Sequence, residues 1–169
     1  FQDSVNLWFS DEANATATYG HIRDWNVSAV TDMSEAFKDK TTFDDNISAW
    51  DVSNVTDMNH MFAGATAFNQ PIGNWNVSSV LSLASMFYDA SNFNQPIGNW
   101  NTSSVTNMSS LFRNALRFNQ DIGSWEMSSV INVQSMFLNA KVFNQNLENW
   151  NVQNVLNMAH MFQQASNFN

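Results

Sequence analysis

The sequence predicts an α/β solenoid of six 25-residue repeats behind an N-terminal helical cap. Three observations carry the prediction. Trp25, Trp50, Trp75, Trp100, Trp125 and Trp150 stand 25 residues apart without a slip, and so strict a period marks one structural unit repeated and stacked. Two hydrophobic periods alternate inside each unit. Residues 1–21 lie outside the repeat.

The elements follow in chain order. Val5, Leu7, Trp8 and Phe9, then Ala13, Ala15, Ala17 and Tyr19, suit one or two helices covering the first unit. The boundary falls at residue 21, and residues 22–169 form the repeat region. Around each Trp the pattern Trp-x-Val alternates with period two, which predicts a short inward-facing parallel strand. Farther on, Leu83, Met86, Phe87 and Ala90 are spaced as one face of a short helix. Thr31, Thr56 and Thr106 precede this segment as candidate N-caps, with Asp32 and Asp57 beside them. Phe-Asn-Gln, followed by Pro71 or Pro96, returns the chain to the next strand. At about 4.8 Å per coil, six coils span roughly 29 Å. The chain begins at Phe1 and stops at Phe168-Asn169, where another strand is due. It therefore reads as a piece truncated at its C-terminus.

The 169 residues carry a net charge of −9, a poor basis for binding nucleic acid or an anionic membrane. Acidic residues crowd the first third of the chain. With no Cys, disulfides, thiol catalysis and zinc–thiolate sites are excluded. No apolar run is long enough to span a bilayer.

The search for chemistry yields no catalytic, cofactor or metal residues. His60 and His160 occupy the same place in repeats two and six, about 20 Å apart by stacking. Asp44-Asp45 with Asp39 lacks the loop pattern that a calcium site requires. Asp24, Asp51 and Glu126 are substitutions in an Asn column, not a carboxylate pair across a cleft. The Trp ladder reads as inward core, because it alternates with polar neighbours. What remains is an outward polar face of amides and hydroxyls. Its candidate contact residues are Asn74, Asn76, Ser78, Asn99, Asn101, Ser103, Asn149 and Asn151. Stacked amides there are expected to bond between coils. Asn14, Asn26, Asn46, Asn54, Asn76, Asn101 and Asn107 head Asn-x-Ser/Thr sequons, candidate N-glycosylation sites in a secreted eukaryotic protein.

The run W-N-V-S-S-V-x-x-M-x-x-M-F-x-x-A-x-x-F-N-Q-x-I, repeated from residue 19 to the end, resembles the BspA-like surface-protein repeat. It is similar to the 25-residue form described from mycoplasma surface lipoproteins, the PARCEL-type domain. Tyr19-Gly20-His21-Ile22-Arg23-Asp24-Trp25 resembles that family's entry to the first repeat. The sequence departs from it at Lys40, Thr102 and Met127. The resemblance implies a right-handed, leucine-rich-repeat-like coil, a place outside the cell or on its surface, and adhesion to a surface or matrix protein or glycan. It supplies no catalytic residues.

The expected function is thus an extracellular structural or adhesion module that binds partners through its repetitive surface, not an enzyme. The alternative is a subunit that self-associates end to end into a filament or appendage. Ice binding fits poorly, because Thr is irregular on the repeat face.

Overall fold

A computed structural model describes all of residues 1–169. Two helices come first, α1 over Gln2–Ser10 and α2 over Glu12–Tyr19. Asp11 caps α2 by accepting the Asn14 N–H at 3.0 Å, and Gly20, at φ 78°, ends it. The apolar side of α1 lies on the first repeat. Phe9 meets Phe37 and Phe43 edge-on, and Trp8 meets Trp25. Met33 and Phe37 are consequently fully buried, although no earlier repeat covers them.

After a single 3-10 turn over Ile22–Asp24, the chain is a succession of tight turns, not strands and helices. In the second unit, Trp50 N–H closes on Ile47 O, Val55 on Val52, Met61 on Met58, Ala63 on His60, Ala65 on Phe62 and Phe68 on Ala65. Successive units lie side by side in parallel, with single bridges from Asp32 through Asp57, Ser82, Asn107 and Asn132 to Asn157.

Both expected elements of the unit require correction. No strand forms at Trp-x-Val. The side chain one residue after Trp accepts the N–H two residues on, as Asp51 does from Ser53, and the next turn takes the Val55 N–H. Local bonds therefore use the groups a ladder would need. The pairing sits instead seven residues after Trp, at Asp32 and its equivalents.

No helix forms at 83–90 either. Ser85 and Asp89 have φ of 55° and 57°, values an α-helix of L-residues does not sustain. Each left-handed residue turns the following peptide plane. Met86, Tyr88 and Ala90 N–H close four-residue turns, whereas Leu83, Ser85, Phe87 and Asp89 N–H leave for the next unit. The Thr residues are not caps. Thr56 and Thr106 hydroxyls donate to the carbonyls of Thr31 and Leu81 in the preceding unit.

This turn strip is the main seam between units. Met33, Glu35, Phe37 and Asp39 donate to the carbonyls of Asp57, Asn59, Met61 and Ala63, and the same four bonds recur down to Val133, Ser135, Phe137 and Asn139. All four columns point the same way, with N–H toward the higher-numbered unit. A single backbone column, Thr56 to Thr31 through Leu156 to Ile131, runs oppositely.

Inside the seam lies an aromatic interior. Phe62 and Phe68 stack at 3.9 Å within their unit, and Phe62 lies 5.7 Å from Phe87 in the next. The same pairs recur from Phe37–Phe43 to Phe162–Phe168. Burying one such ring stabilises the fold by about 2–3 kcal/mol. Five Trp, from Trp50 to Trp150, are buried, and Trp25 is half-buried. Each indole also links units, since the N–H of Trp50, Trp75, Trp100, Trp125 and Trp150 reaches the carbonyl of Ile22, Ile47, Ile72, Ile97 and Ile122 at 3.0–3.2 Å. In the last unit, Met158 is 42% exposed, whereas Met33, Met58 and Met108 are fully buried.

A polar spine completes the joint. The side-chain oxygens of Asp44, Asn69, Asn94, Asn119 and Asn144 each accept the backbone N–H of the equivalent residue one unit on. Gln95, Gln120 and Gln145 add bonds to the Asn carbonyls. Two residues before Trp, glycine permits close approach. A Cβ on Gly98 would lie 2.5 Å from the Asp121 carbonyl oxygen.

Three substitutions test this hierarchy by urea unfolding. Gly98→Ala is expected to cost about 1–3 kcal/mol by forcing two units apart. Asn94→Ala is expected to cost about 1–3 kcal/mol, because it leaves the Asn119 N–H without its acceptor. Asn99→Ala, on the outward face, should stay within about 0.5 kcal/mol of the parent. Equal effects at Asn94 and Asn99 would remove the special role of the spine.

Candidate functional site

The candidate face is where the Trp flanks emerge. Asn74, Asn76, Asn99, Asn101, Ser103, Asn149 and Asn151 are exposed, and Ser78 is half-buried. Alternation about the buried Trp sets this arrangement. Trp100 turns inward, so Asn99 and Asn101 turn outward.

The two Asn columns do different things. Asn76, Asn101 and Asn151 accept the N–H of Ser78, Ser103 and Gln153 at 3.1–3.3 Å, and Asn76 also accepts the Ser78 hydroxyl at 2.7 Å. These amides shape their own turns. The expectation that they bond between coils is therefore corrected, and the inter-unit amide spine lies at Asn69, Asn94, Asn119 and Asn144. Asn74, Asn99 and Asn149 make no such turn bond and project beside the Trp. Between the last two units, Asp121, Ser124, Glu126, Asn149 and Asn151 line an open polar groove of about 590 Å³.

Two carboxylates stand in the turn-forming column. The Ser53 hydroxyl and N–H favour the charged form of Asp51 and lower its pKa. The Ser128 N–H and hydroxyl do the same for Glu126. Each acid thus acts as a charged version of the Asn found at 26, 76, 101 and 151. Asp24, Asp51 and Glu126 lie in different units, and no group of three His, Asp or Glu side chains converges on a metal-sized site.

The three His also stand apart. His21 accepts the Arg23 N–H beside Trp8, while His60 and His160 occupy equivalent left-handed positions at φ 56° and 61°. Among the sequon residues, Asn14, Asn26, Asn46, Asn76 and Asn101 are exposed. Asn54 is exposed too, but its amide donates to the Ser28 carbonyl, and Asn107 is half-buried at a bridge. No helix is long and apolar enough to cross a membrane.

Sequence reasoning missed a second, half-buried strip over the left-handed turns, where Lys38, His60, Tyr88 and Arg113 lie. The column fourteen residues after Trp reads Asp39, Gly64, Asp89, Asn114, Asn139 and Gln164. Gly, Asn and Asp are the residues that tolerate positive φ most readily, so that column was the available signal.

Such a surface of repeated turns, with no converging reactive groups, defines a repeat protein. The family model described as "Mycoplasma protein of unknown function, DUF285" matches residues 4–115 and 77–169. The chain therefore belongs to that family, and the two overlapping matches reflect the internal repeat. Neither a curated protein nor a solved structure matches the chain.

The lowered carboxylate values set a sign. A carboxylate whose pKa falls on folding stabilises the native state above its unfolded pKa. That contribution is lost as pH drops through the folded value. Carbon-detected NMR titration should find Asp51 and Glu126 titrating below free Asp and Glu. Asp51→Asn should leave the neutral-pH fold intact and reduce the acid sensitivity of unfolding. Ordinary titration at both residues would show that the Ser53 and Ser128 bonds do not persist in solution.

Proposed function

We propose that this chain is a solenoid adhesion module, acting outside the cell or on its surface, that holds protein or glycan partners on its outward polar face. The observation that carries this reading is the exposed row formed by Asn74, Asn99 and Asn149, with Ser124 between the last two, on a stack of like units. Such a row suits a polymeric or repetitive partner, because successive units present small, mostly polar groups in register at about 4.8 Å intervals. Binding gains from presenting several weak sites at once without ordering the scaffold anew. The likeness of the W-N-V-S-S-V motif to the BspA-like repeat supports a surface role, and membership in a mycoplasma repeat family is compatible with it.

Pull-downs of surface and matrix proteins, together with glycan arrays, test the reading with the 169-residue chain. Binding that falls at least tenfold in an Asn74→Ala, Asn99→Ala, Asn149→Ala variant is the expected result. Binding to neither class of partner, or binding indifferent to the triple variant, would overturn the assignment to this face.

A further inference from the structure

We infer that a second site, a notch over the turn strip beside Tyr88, binds a neutral sugar ring. This deepens the adhesion reading by naming a ligand class, but it places that ligand away from the Asn face.

The notch arises from side-chain size in two stacked columns. Thirteen residues after Trp, the side chains are Lys38, Ala63, Tyr88, Arg113, Leu138 and Gln163, and one residue farther on they are Asp39, Gly64, Asp89, Asn114, Asn139 and Gln164. Ala63 and Gly64 are the smallest members of their columns and fall in the same unit. A gap therefore opens between Lys38 on one side and Tyr88 on the other. Its lining includes Ala63, His60, Asp39 and Ser85, around a volume of about 330 Å³. Ala63 is only 3% exposed and forms the floor. Gly64, at φ 71°, keeps the corner open, because a Cβ there would press on the Asp39 carboxylate.

The walls suit a polyhydroxy ring. Tyr88 is braced from the following unit by Arg113, whose guanidinium carbon lies 5.4 Å from the ring centroid. Tyr88 lines the notch together with Ala63, and its ring can take the C–H face of a sugar. Around it stand the Asp39 carboxylate, the His60 imidazole and the Ser85 hydroxyl, a mixture of donors and acceptors.

Charge separates a neutral ligand from an anionic one. Lys38 is held by Glu35 at 2.9 Å, so its charge is already matched. Arg113 and Asp39 line the notch with opposite formal charges. Lys38 and Arg113 are thus matched in number by Glu35 and Asp39, which leaves little net charge to attract phosphate or sulfate. An aromatic wall with directional polar groups and little net charge fits a neutral pyranose.

The repeat itself supplies the controls. Leu138 occupies the place of Ala63 three units on, and Ala63 occupies the place of Tyr88 one unit back. Ala63→Leu and Tyr88→Ala thus install residues that the same column already accommodates. Saturation-transfer NMR with the whole chain would use methyl glucoside, methyl galactoside, methyl mannoside and N-acetylglucosamine, with inorganic phosphate as the anionic probe. At least one sugar should bind, at least tenfold more weakly to each of the two variants, and phosphate should not compete.

The inference fails if no sugar binds, if both variants bind as the parent does, or if phosphate displaces the sugar. If the Asn74/Asn99/Asn149 variant loses sugar binding while Ala63→Leu and Tyr88→Ala keep it, the notch is refuted and the adhesion face stands. If only the notch variants lose binding and no partner is sensitive to the triple variant, the notch stands and the face is refuted.

Discussion

The 25-residue length of the unit is the constraint on which the rest of the structure depends. Every major joint between neighbours is written at that register or within a few residues of it. The peptide columns over the turn strip, the indole-to-Ile bonds, the Asn spine and the Phe stacks all require equivalent atoms to arrive at equivalent heights. One extra residue in a unit would misalign all four systems together. The uniformity of the Trp spacing is thus a consequence of backbone geometry as much as of core packing. Substitution is tolerated where a side chain meets only its own unit or solvent, as when Glu126 replaces Asn in a local turn.

Much of this was legible in the residues, and what was not has physical causes. Spacing alone identifies the unit, its number and its inward residues, because apolar burial fixes which columns repeat as Ile, Trp, Val, Met and Phe. The local backbone was misread for a definite reason. Leu83, Met86, Phe87 and Ala90 have helical spacing, but consecutive four-residue turns also return a side chain to one side every three or four positions. Periodicity cannot separate the two. The left-handed residues can, and they include Ser85 and Ser110, which carry no strong preference for positive φ. Only Gly64 with Asp39, Asp89, Asn114 and Asn139 announces that conformation, in a column that hydrophobic patterning ignores.

The candidate face shows the same division. That Asn99 and Asn101 point outward follows from the buried Trp100 between them. That Asn101 folds back on its own turn while Asn99 stays free depends on backbone direction, which no pattern of residue types reveals. Equally, Asn94 and Asn99 look alike in sequence. One bridges two units in a ladder, whereas the other faces solvent. The distinction matters for function, because a surface amide spent on structure is a poor site for a partner. The notch beside Tyr88 was hidden differently. It depends on an irregularity, the coincidence of small residues in one unit, and consensus reading suppresses irregularities by design.

The one-way run of the four peptide columns has an electrical consequence. In an ordinary sheet the dipoles of a strand alternate and largely cancel. Here four columns of joining amides point along the stack, opposed by the Thr56-to-Thr31 column and by the backbone N–H groups of the Asn spine. Each hydrogen bond polarises the next in its chain, so the assembly behaves like a helix laid sideways, built from residues 25 apart instead of four. Its partial positive charge gathers on the N–H side and its partial negative charge on the carbonyl side. Adding a unit lengthens this dipole without altering its direction. A repeat array of this kind therefore carries a built-in electrical axis, independent of its formal charges.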